Sequence, residues 1–585
     1  MKQFFKFTLA ATVGVLIASI ISTLIFLGII GAIIASGEGA TTLKPNSVYQ
    51  LDLIGTLEER AEDNPFDFLS ERFGGGRTIG LDEILSNIRK AKENPNIVGI
   101  YLNVGAFSAG YASLKEIRDA LLDFRESGKF IVAYADHYTQ RMYYLASVAD
   151  KVLLNPIGMV SFHGLSSTTT FFKNMLDKVG VEMQILQVGE FKSAVEPFTE
   201  TQMTAANREQ VSVFINSIWN NVLNEISASR NIPVETLNAY ADQVLTFREA
   251  EKALNAGFVD KLVYRSQVKE IIESFIDDTS RHSLALVRHA AMNRVPRNER
   301  FQRNKIAVIY AVGGIDMSEN DGIVSRRLVR TINKVAEDDN IKAVVLRVNS
   351  PGGSAYGSEQ IWHALTELRE KKPLIVSMGD LAASGGYYIA VAGNKIVAQP
   401  NTLTGSIGVF GQIPNFAGLA NRIGLNFDVV KTNRMSEGVI TGHRAFTPDE
   451  RAIMQHFVNR TYDLFIQRIV EGRGMTAEQV KAVSEGRVWT GESALEFGLI
   501  DELGGLDRAI ALAAEAAELE NFAIVKHPEK EDFMTTLLRG MSGDLETRFL
   551  RSRLGTRNYE MLRYIGNLEN MNGVFALMPF GIEVR

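Results

Sequence analysis

The chain contains no cysteine. Thiolate nucleophiles, thiolate metal sites and disulfides are therefore excluded, and covalent chemistry falls to Ser, Thr, Lys or a carboxylate. Ser384 has the setting such a role needs. It sits in GDLAASGGYYIA, flanked by Ala382, Ala383, Gly385 and Gly386. Neighbours this small let a substrate carbonyl reach the hydroxyl and leave the next backbone N–H accessible. The plain alternative is close helix packing through small side chains. A second loop, NSPGGSAYGS (Asn349 to Ser358), follows an apolar strand pattern and precedes a helical one. Gly352 and Gly353 there leave N–H groups unpaired at a helix start, where they can bind an anion or oxyanion. Glycines of an ordinary turn would look the same.

A serine hydroxyl needs a base. None of the eight histidines (His137, His163, His282, His289, His363, His443, His456, His527) has a supporting context, although a histidine base stays open at this level. Lys192, in GEFKSAVEPF, is the stronger candidate. A lone loop lysine is ordinarily a solvated charge, but this one lies among Phe191, Ala194, Val195 and Phe198. Free lysine titrates near 10.4, so it must be depressed by about 3 pH units, roughly 4 kcal/mol, to be largely neutral near pH 7. Apolar burial can supply that. Glu190 and Glu196 must then turn away from the amine. Lys431 is the rival base; it stands five residues before Ser436, an odd offset that would place the two on opposite faces of an extended segment.

The elements that position these residues are written twice. NPNIVGIYLNV (Asn94 to Val104) matches DNIKAVVLRV (Asp339 to Val348), Ile97 falling 244 positions before Ile341. The same shift pairs FIVAY with LIVSM, MYYLASVADKVLLNP with GYYIAVAGNKIVAQP, and KVGVEMQIL with RIGLNFDVV. This is a tandem duplication. Each copy alternates β-branched strand runs with helical periods, such as Ile84, Leu85, Ile88 and Ala91 against Leu328, Val329, Ile332 and Val335. That order predicts an α/β fold with parallel sheets covered by helices. A further helical stretch, Asn207 to Ile226 or Asp449 to Ile469, closes each unit. The copies differ where chemistry is expected. Ser384 corresponds to Gln140, Lys192 corresponds to Ser436, and the Gly-Gly loop corresponds to GAFSAGYAS. Such complementary losses predict one active site assembled from both halves.

The expected organisation is a membrane anchor over 1–40, a first repeat over 41–280, a basic connector over 281–304, a second repeat over 305–530 and a tail over 531–585. The tail reads as helical and then as GVFALMPFGIEV, with no legible role. From Phe7 to Gly37 no residue is charged, a run of 31 positions. About 20 suffice to cross a bilayer, and cleaved signal peptides have apolar cores of only about 7–15. Lys2 and Lys6 precede the run and Glu38 follows it, so the amino terminus is expected in the cytoplasm and the body beyond the membrane. In a bacterium that is a periplasm-facing enzyme tethered to the inner membrane. The net charge of −6 argues against nucleic-acid binding through bulk charge.

FKSAVEPF (Phe191 to Phe198), NSPGGS (Asn349 to Ser354), LAASGGYY (Leu381 to Tyr388) and LTGSIGVFG (Leu403 to Gly411) together resemble the long, duplicated form of bacterial signal peptide peptidase, or protease IV. The likeness runs from the apolar span to about residue 515. It implies a Clp protease/crotonase-type fold, a bowl-shaped tetramer and a serine–lysine peptidase acting on apolar peptides, notably spent signal peptides. Ser384 would be the nucleophile, Lys192 the general base, and the N–H groups of Gly353 and Gly385 the oxyanion donors. No metal or cofactor is implied. Two other classes stay in view. One is a crotonase-like acyl-CoA enzyme, which also uses Gly-Gly oxyanion donors; the other is a membrane scaffold that has lost its chemistry.

Overall fold

The computed structural model describes residues 2–37, 41–61, 78–243, 245–276, 284–296, 302–317, 322–438, 441–529 and 573–578. In the first repeat, strands β1 (Ser47–Glu58), β2 (Thr78–Gly80), β3 (Ile97–Ser108), β4 (Phe130–Tyr138), β5 (Lys151–Val160), β7 (Lys261–Leu262) and β8 (Ala285–Arg288) form one sheet, and β6 (Glu182–Val188) stands outside it. The second sheet takes β9 (Lys305–Val312), β10 (Ile341–Ser350), β12 (Leu374–Ala383), β13 (Lys395–Ala398), β14 (Leu403–Gly405), β16 (Val488–Thr490), β17 (Glu502–Leu503) and β18 (Ala523–His527). Both sheets share one path. The order β8-β1-β3-β4-β5-β7 is repeated by β18-β9-β10-β12-β13-β17, with parallel pairing throughout. Parallel neighbours need covered faces, which explains why β10 is buried along nearly its whole length.

The helices keep the sequence shift. Leu81–Glu93 answers to Ser325–Glu337, and Tyr111–Arg125 to Ala355–Lys371. The closing helices Ala205–Arg230 and Pro448–Arg473 are each 26 residues long. Thr204 accepts a hydrogen bond from Asn207 N–H at one start, and Thr447 with Glu450 forms a capping box at the other. Val222, Leu223 and Ile226 of the first, and Phe465 and Ile469 of the second, bury their apolar faces in the two cores.

The stretch over 281–304 includes ordered structure. Its residues 285–288 extend the first sheet by pairing with β1, and His289–Asn293 is helical. The helical reading of the tail beyond 530 lies outside the described residues. The amino-terminal helix, Lys2–Gly37, runs 36 residues. Among the fully described residues no helix is long and apolar enough to cross a membrane; most side chains of this helix beyond residue 22 fall outside that set.

Two devices join the repeats. Arg347 on β10, fully buried, donates to Glu59 (2.8 and 3.1 Å) and Glu116 (2.6 Å), both from the first repeat. Nearby, Asp380 accepts from Ser113 N–H at 3.0 Å and from its hydroxyl at 2.5 Å. The second device is a small antiparallel sheet, β11 (Gly352–Ser354), β19 (Gly573–Leu577), β15 (Val409–Asn415) and β6, in that order. Here β6 of the first repeat pairs with β15 of the second, from Val188 opposite Val409 to Glu182 opposite Asn415.

Candidate active site

Ser384 stands at the junction of β12 and the short helix Gly385–Ala390, with φ 56° and ψ −114°. A side chain rarely adopts that conformation, and it costs about 1–3 kcal/mol. The turn is held by Ser384 N–H donating to the Gly405 carbonyl and Tyr388 N–H donating to that of Ser384, each at 2.8 Å. The small neighbours are required by contact. A Cβ on Gly386 would come 2.7 Å from the Ser350 carbonyl oxygen, and one on Gly385 2.7 Å from Ser358 Oγ.

Lys192 arrives four residues after the end of β6, so the β6–β15 pairing carries it into the second repeat. Its loop is strapped there on two sides. Phe191 N–H donates to the Glu485 carbonyl at 2.9 Å. Gln210, from the Ala205–Arg230 helix, donates to the Phe191 carbonyl and to Ser193 Oγ, both at 3.0 Å, and accepts from Val488 N–H at 3.1 Å. The lysine stem lies against the Gly486 and Gly408 backbone.

These placements bring Lys192 Nζ to 2.8 Å from Ser384 Oγ, within one chain. Nζ also donates to the carbonyl oxygen of Ser406 (2.9 Å) and to its Oγ (3.0 Å). Lys192 is 1% exposed. Burial holds its amine well below the usual lysine range, with no carboxylate opposing the effect. Glu196 is turned away, accepting from Thr204 Oγ1 at 2.6 Å and Asn207 Nδ2 at 2.7 Å, and Glu190 is exposed. A neutral amine has two N–H donors and one lone pair. In that form, with Ser406 accepting both donors, the lone pair would be left for the Ser384 hydroxyl, as proton abstraction requires.

Ser406 was not singled out from sequence, although it lies in the LTGSIGVFG segment. Its φ of 48° is the local signal. The rival Lys431 is paired with Glu437 and His443 contacts the same carboxylate, while Ser436 hydrogen-bonds within its own exposed turn. His363 is solvent-exposed beside Glu367, and His137 contacts the Met159 carbonyl and Ser161. No described histidine contact involves Ser384.

Gly352 and Gly353 form β11 with φ of 96° and 152°, and a Cβ on Gly353 would lie 2.2 Å from the Ile315 carbonyl oxygen. The two glycine loops meet, since a Cβ on Gly352 would lie 2.6 Å from Gly385 N. The arrangement can therefore support acyl transfer: an alcohol, a buried amine, and backbone N–H groups converging beside them.

The model of peptidase family S49 matches residues 123–275 and 366–520, and that of Clp protease matches 307–404. The chain is 35% identical to Protease 4 of Salmonella typhi over 532 residues, covering 88% of this chain and 83% of that one. It is 34% identical to Protease 4 of Haemophilus influenzae, covering 85% of each. Identity to the chloroplastic serine protease SPPA of Arabidopsis thaliana is 32%, over 77% of this chain and 68% of the relative. With two matched segments falling in the two repeats, the chain belongs to peptidase family S49 and is a serine peptidase.

Proposed function

We propose that this peptidase is a membrane-anchored serine–lysine endopeptidase that degrades apolar peptides, signal peptides among them. Ser384 Oγ attacks the peptide carbonyl while the neutral Lys192 amine takes its proton. The N–H groups of Gly353 and Gly385 hold the developing oxyanion. Lys192 then gives the proton to the leaving nitrogen, and the same amine activates the water that hydrolyses the ester. Ser406 acts as a positioning residue that keeps the lysine lone pair on the serine. The observation that carries this reading is the 2.8 Å approach of a buried amine to Ser384 Oγ.

The uncharged run from Phe7 to Gly37 supports an anchor with the amino terminus in the cytoplasm and the two repeats beyond the membrane. The bowl-shaped tetramer implied by resemblance belongs to the same proposal, as does the division at 40, 280, 304 and 530. Sedimentation of the detergent-solubilised chain tests the assembly. For the chemistry, Ser384→Ala and Lys192→Ala should each abolish turnover of an apolar fluorogenic peptide while circular dichroism stays unchanged. Full activity in either folded variant would refute the assignment.

A further inference from the structure

The strand that carries Ser384 changes neighbours just before it reaches the serine. Up to Ser377, β12 runs beside β13, and from Leu381 to Ala383 it runs beside β14. Its pairing with β10 slips at the same place. Val348 faces Met378 and Ser350 faces Ala382, so Asn349 alone stands opposite Gly379, Asp380 and Leu381. Such a bulge bends a strand and re-aims the side chains beyond it. Here the side chain beyond it is that of Ser384. The bulge is held from the other repeat. Asn349 Oδ1 accepts from Leu381 N–H at 3.2 Å, and its Nδ2 donates to Glu59 Oε1 of the first repeat at 2.9 Å. Glu59, itself buried, reaches that point because Gly379 has no side chain; a Cβ there would lie 2.5 Å from Glu59 Oε1. Arg347, which grips both oxygens of Glu59, also donates to the Met378 carbonyl at 3.2 Å. Asp380 takes the two Ser113 bonds, and Thr402 Oγ1 donates to the Gly379 carbonyl at 2.7 Å. The copy without the serine lacks the bridge: 244 positions before Asn349 stands Gly105, which has no side-chain amide to offer.

We propose that Glu59 is a positioning residue for the nucleophile: through Asn349 it fixes the bulge of β12 and so aims the Ser384 hydroxyl at Lys192. The first repeat then supplies the base and also the brace that orients the group the base deprotonates. The inference rests on the serine–lysine reading and adds a residue to it. Without the Glu59 carboxylate, Asn349 loses the acceptor for its Nδ2 and is free to leave the Leu381 N–H. The plainer role for Glu59 is to join the repeats through Arg347, and Glu116 separates the two. Glu116 accepts from Arg347 at 2.6 Å and from Leu506 N–H at 2.8 Å, and none of its hydrogen bonds reaches the bulge.

Glu59→Gln, Asn349→Ala and the double variant test this in the full chain, with Glu116→Gln as control. In Glu59→Gln the amide oxygen is drawn to the guanidinium, so its NH2 meets Asn349 Nδ2 and the brace breaks. Each single variant should lose about 10–10²-fold in kcat on an apolar fluorogenic peptide, with KM unchanged. The losses should not add in the double variant, because both act through one hydrogen bond. Labelling of Ser384 by a fluorophosphonate should slow by the same factor while its pH midpoint, set at Lys192, stays put. Glu116→Gln should lower the urea midpoint and keep kcat. If Glu59→Gln does not fold, Asn349→Asp replaces it, keeping the Leu381 acceptor while setting a second carboxylate against Glu59. Wild-type kcat in folded Asn349→Ala would overturn the inference, as would losses that add. So would an equal loss of kcat in Glu116→Gln, which would make the junction of the repeats responsible rather than the bulge. Wild-type labelling at a residue other than Ser384 would instead overturn the serine–lysine reading.

Discussion

Gly486 is where the second repeat touches the lysine of the first, and replacing it by alanine tests how the site is assembled without removing any reacting group. Gly486 has φ +83°, and a Cβ there would stand 2.6 Å from both the Cβ and N of Lys192 and 2.7 Å from its Cα. Non-bonded carbons settle about 3.5–4.0 Å apart, and these three atoms belong to the lysine backbone and its root. Lys192 must therefore retreat by about 1 Å. The left-handed backbone costs an alanine about 1–2 kcal/mol, and overpacking a further 1–3 kcal/mol or so. Gly486→Ala should thus lose about 2–5 kcal/mol of unfolding free energy. A catalytic amine displaced by about 1 Å should lose on the order of 10²-fold in kcat/KM. Gly474→Ala is the matched control. It has φ +64° and nothing within 4 Å of a built Cβ, so it should lose only the backbone part, about 1–2 kcal/mol, and keep full activity. Urea denaturation and peptide turnover of both variants make the comparison. If Gly486→Ala behaves like Gly474→Ala in both assays, the lysine is not held by this contact and the assembly described above is wrong.

Lys192→Met should raise the stability at neutral pH while abolishing turnover. The native amine is depressed, so the unfolded chain binds the extra proton and wild-type stability climbs with pH between the native value and about 10.4. The advantage of Met should be full below the native value and gone above about 10.4, as read by urea midpoints across pH. Ser384→Gly relieves the positive φ that Ser384→Ala retains, so both should be inactive, but the glycine variant more stable by about 1–3 kcal/mol. Arg347→Met strands Glu59 and Glu116 in the interior between the repeats and should cost about 3–5 kcal/mol in chemical denaturation. Lys431→Ala breaks only the pair with Glu437 and should keep peptide turnover near wild type.

What was legible in the sequence was whatever repeats or fails to repeat at a fixed spacing. The duplication reads directly because strand runs and helix faces recur 244 positions apart, and the matching sheet paths follow from it. Ser384 and Lys192 stood out because each is lost from the other copy. Ser406 did not, because its role depends on a turn with positive φ that lies beside Lys192 only after β6 pairs with β15. Gln210 is likewise a helix residue whose partners, Phe191, Ser193 and Val488, are distant or turned by local geometry. Arg347 hides inside an apolar strand pattern, since its two carboxylate partners lie more than 200 residues away. The tail strand Gly573–Leu577 shows no signal of its own for the same reason: all its pairing is non-local. Residues 285–288 joined the first sheet through a register no short-range pattern announces.

The most direct test of the central claim is the pH dependence of Ser384 acylation by a fluorophosphonate, followed in wild type and in Lys192→Ala. A buried neutral amine as the base predicts a labelling rate that rises through a single ionisation well below 10.5 and collapses at every pH in the variant. A rate that rises only near the ordinary lysine value, or that survives the loss of Lys192, would contradict it.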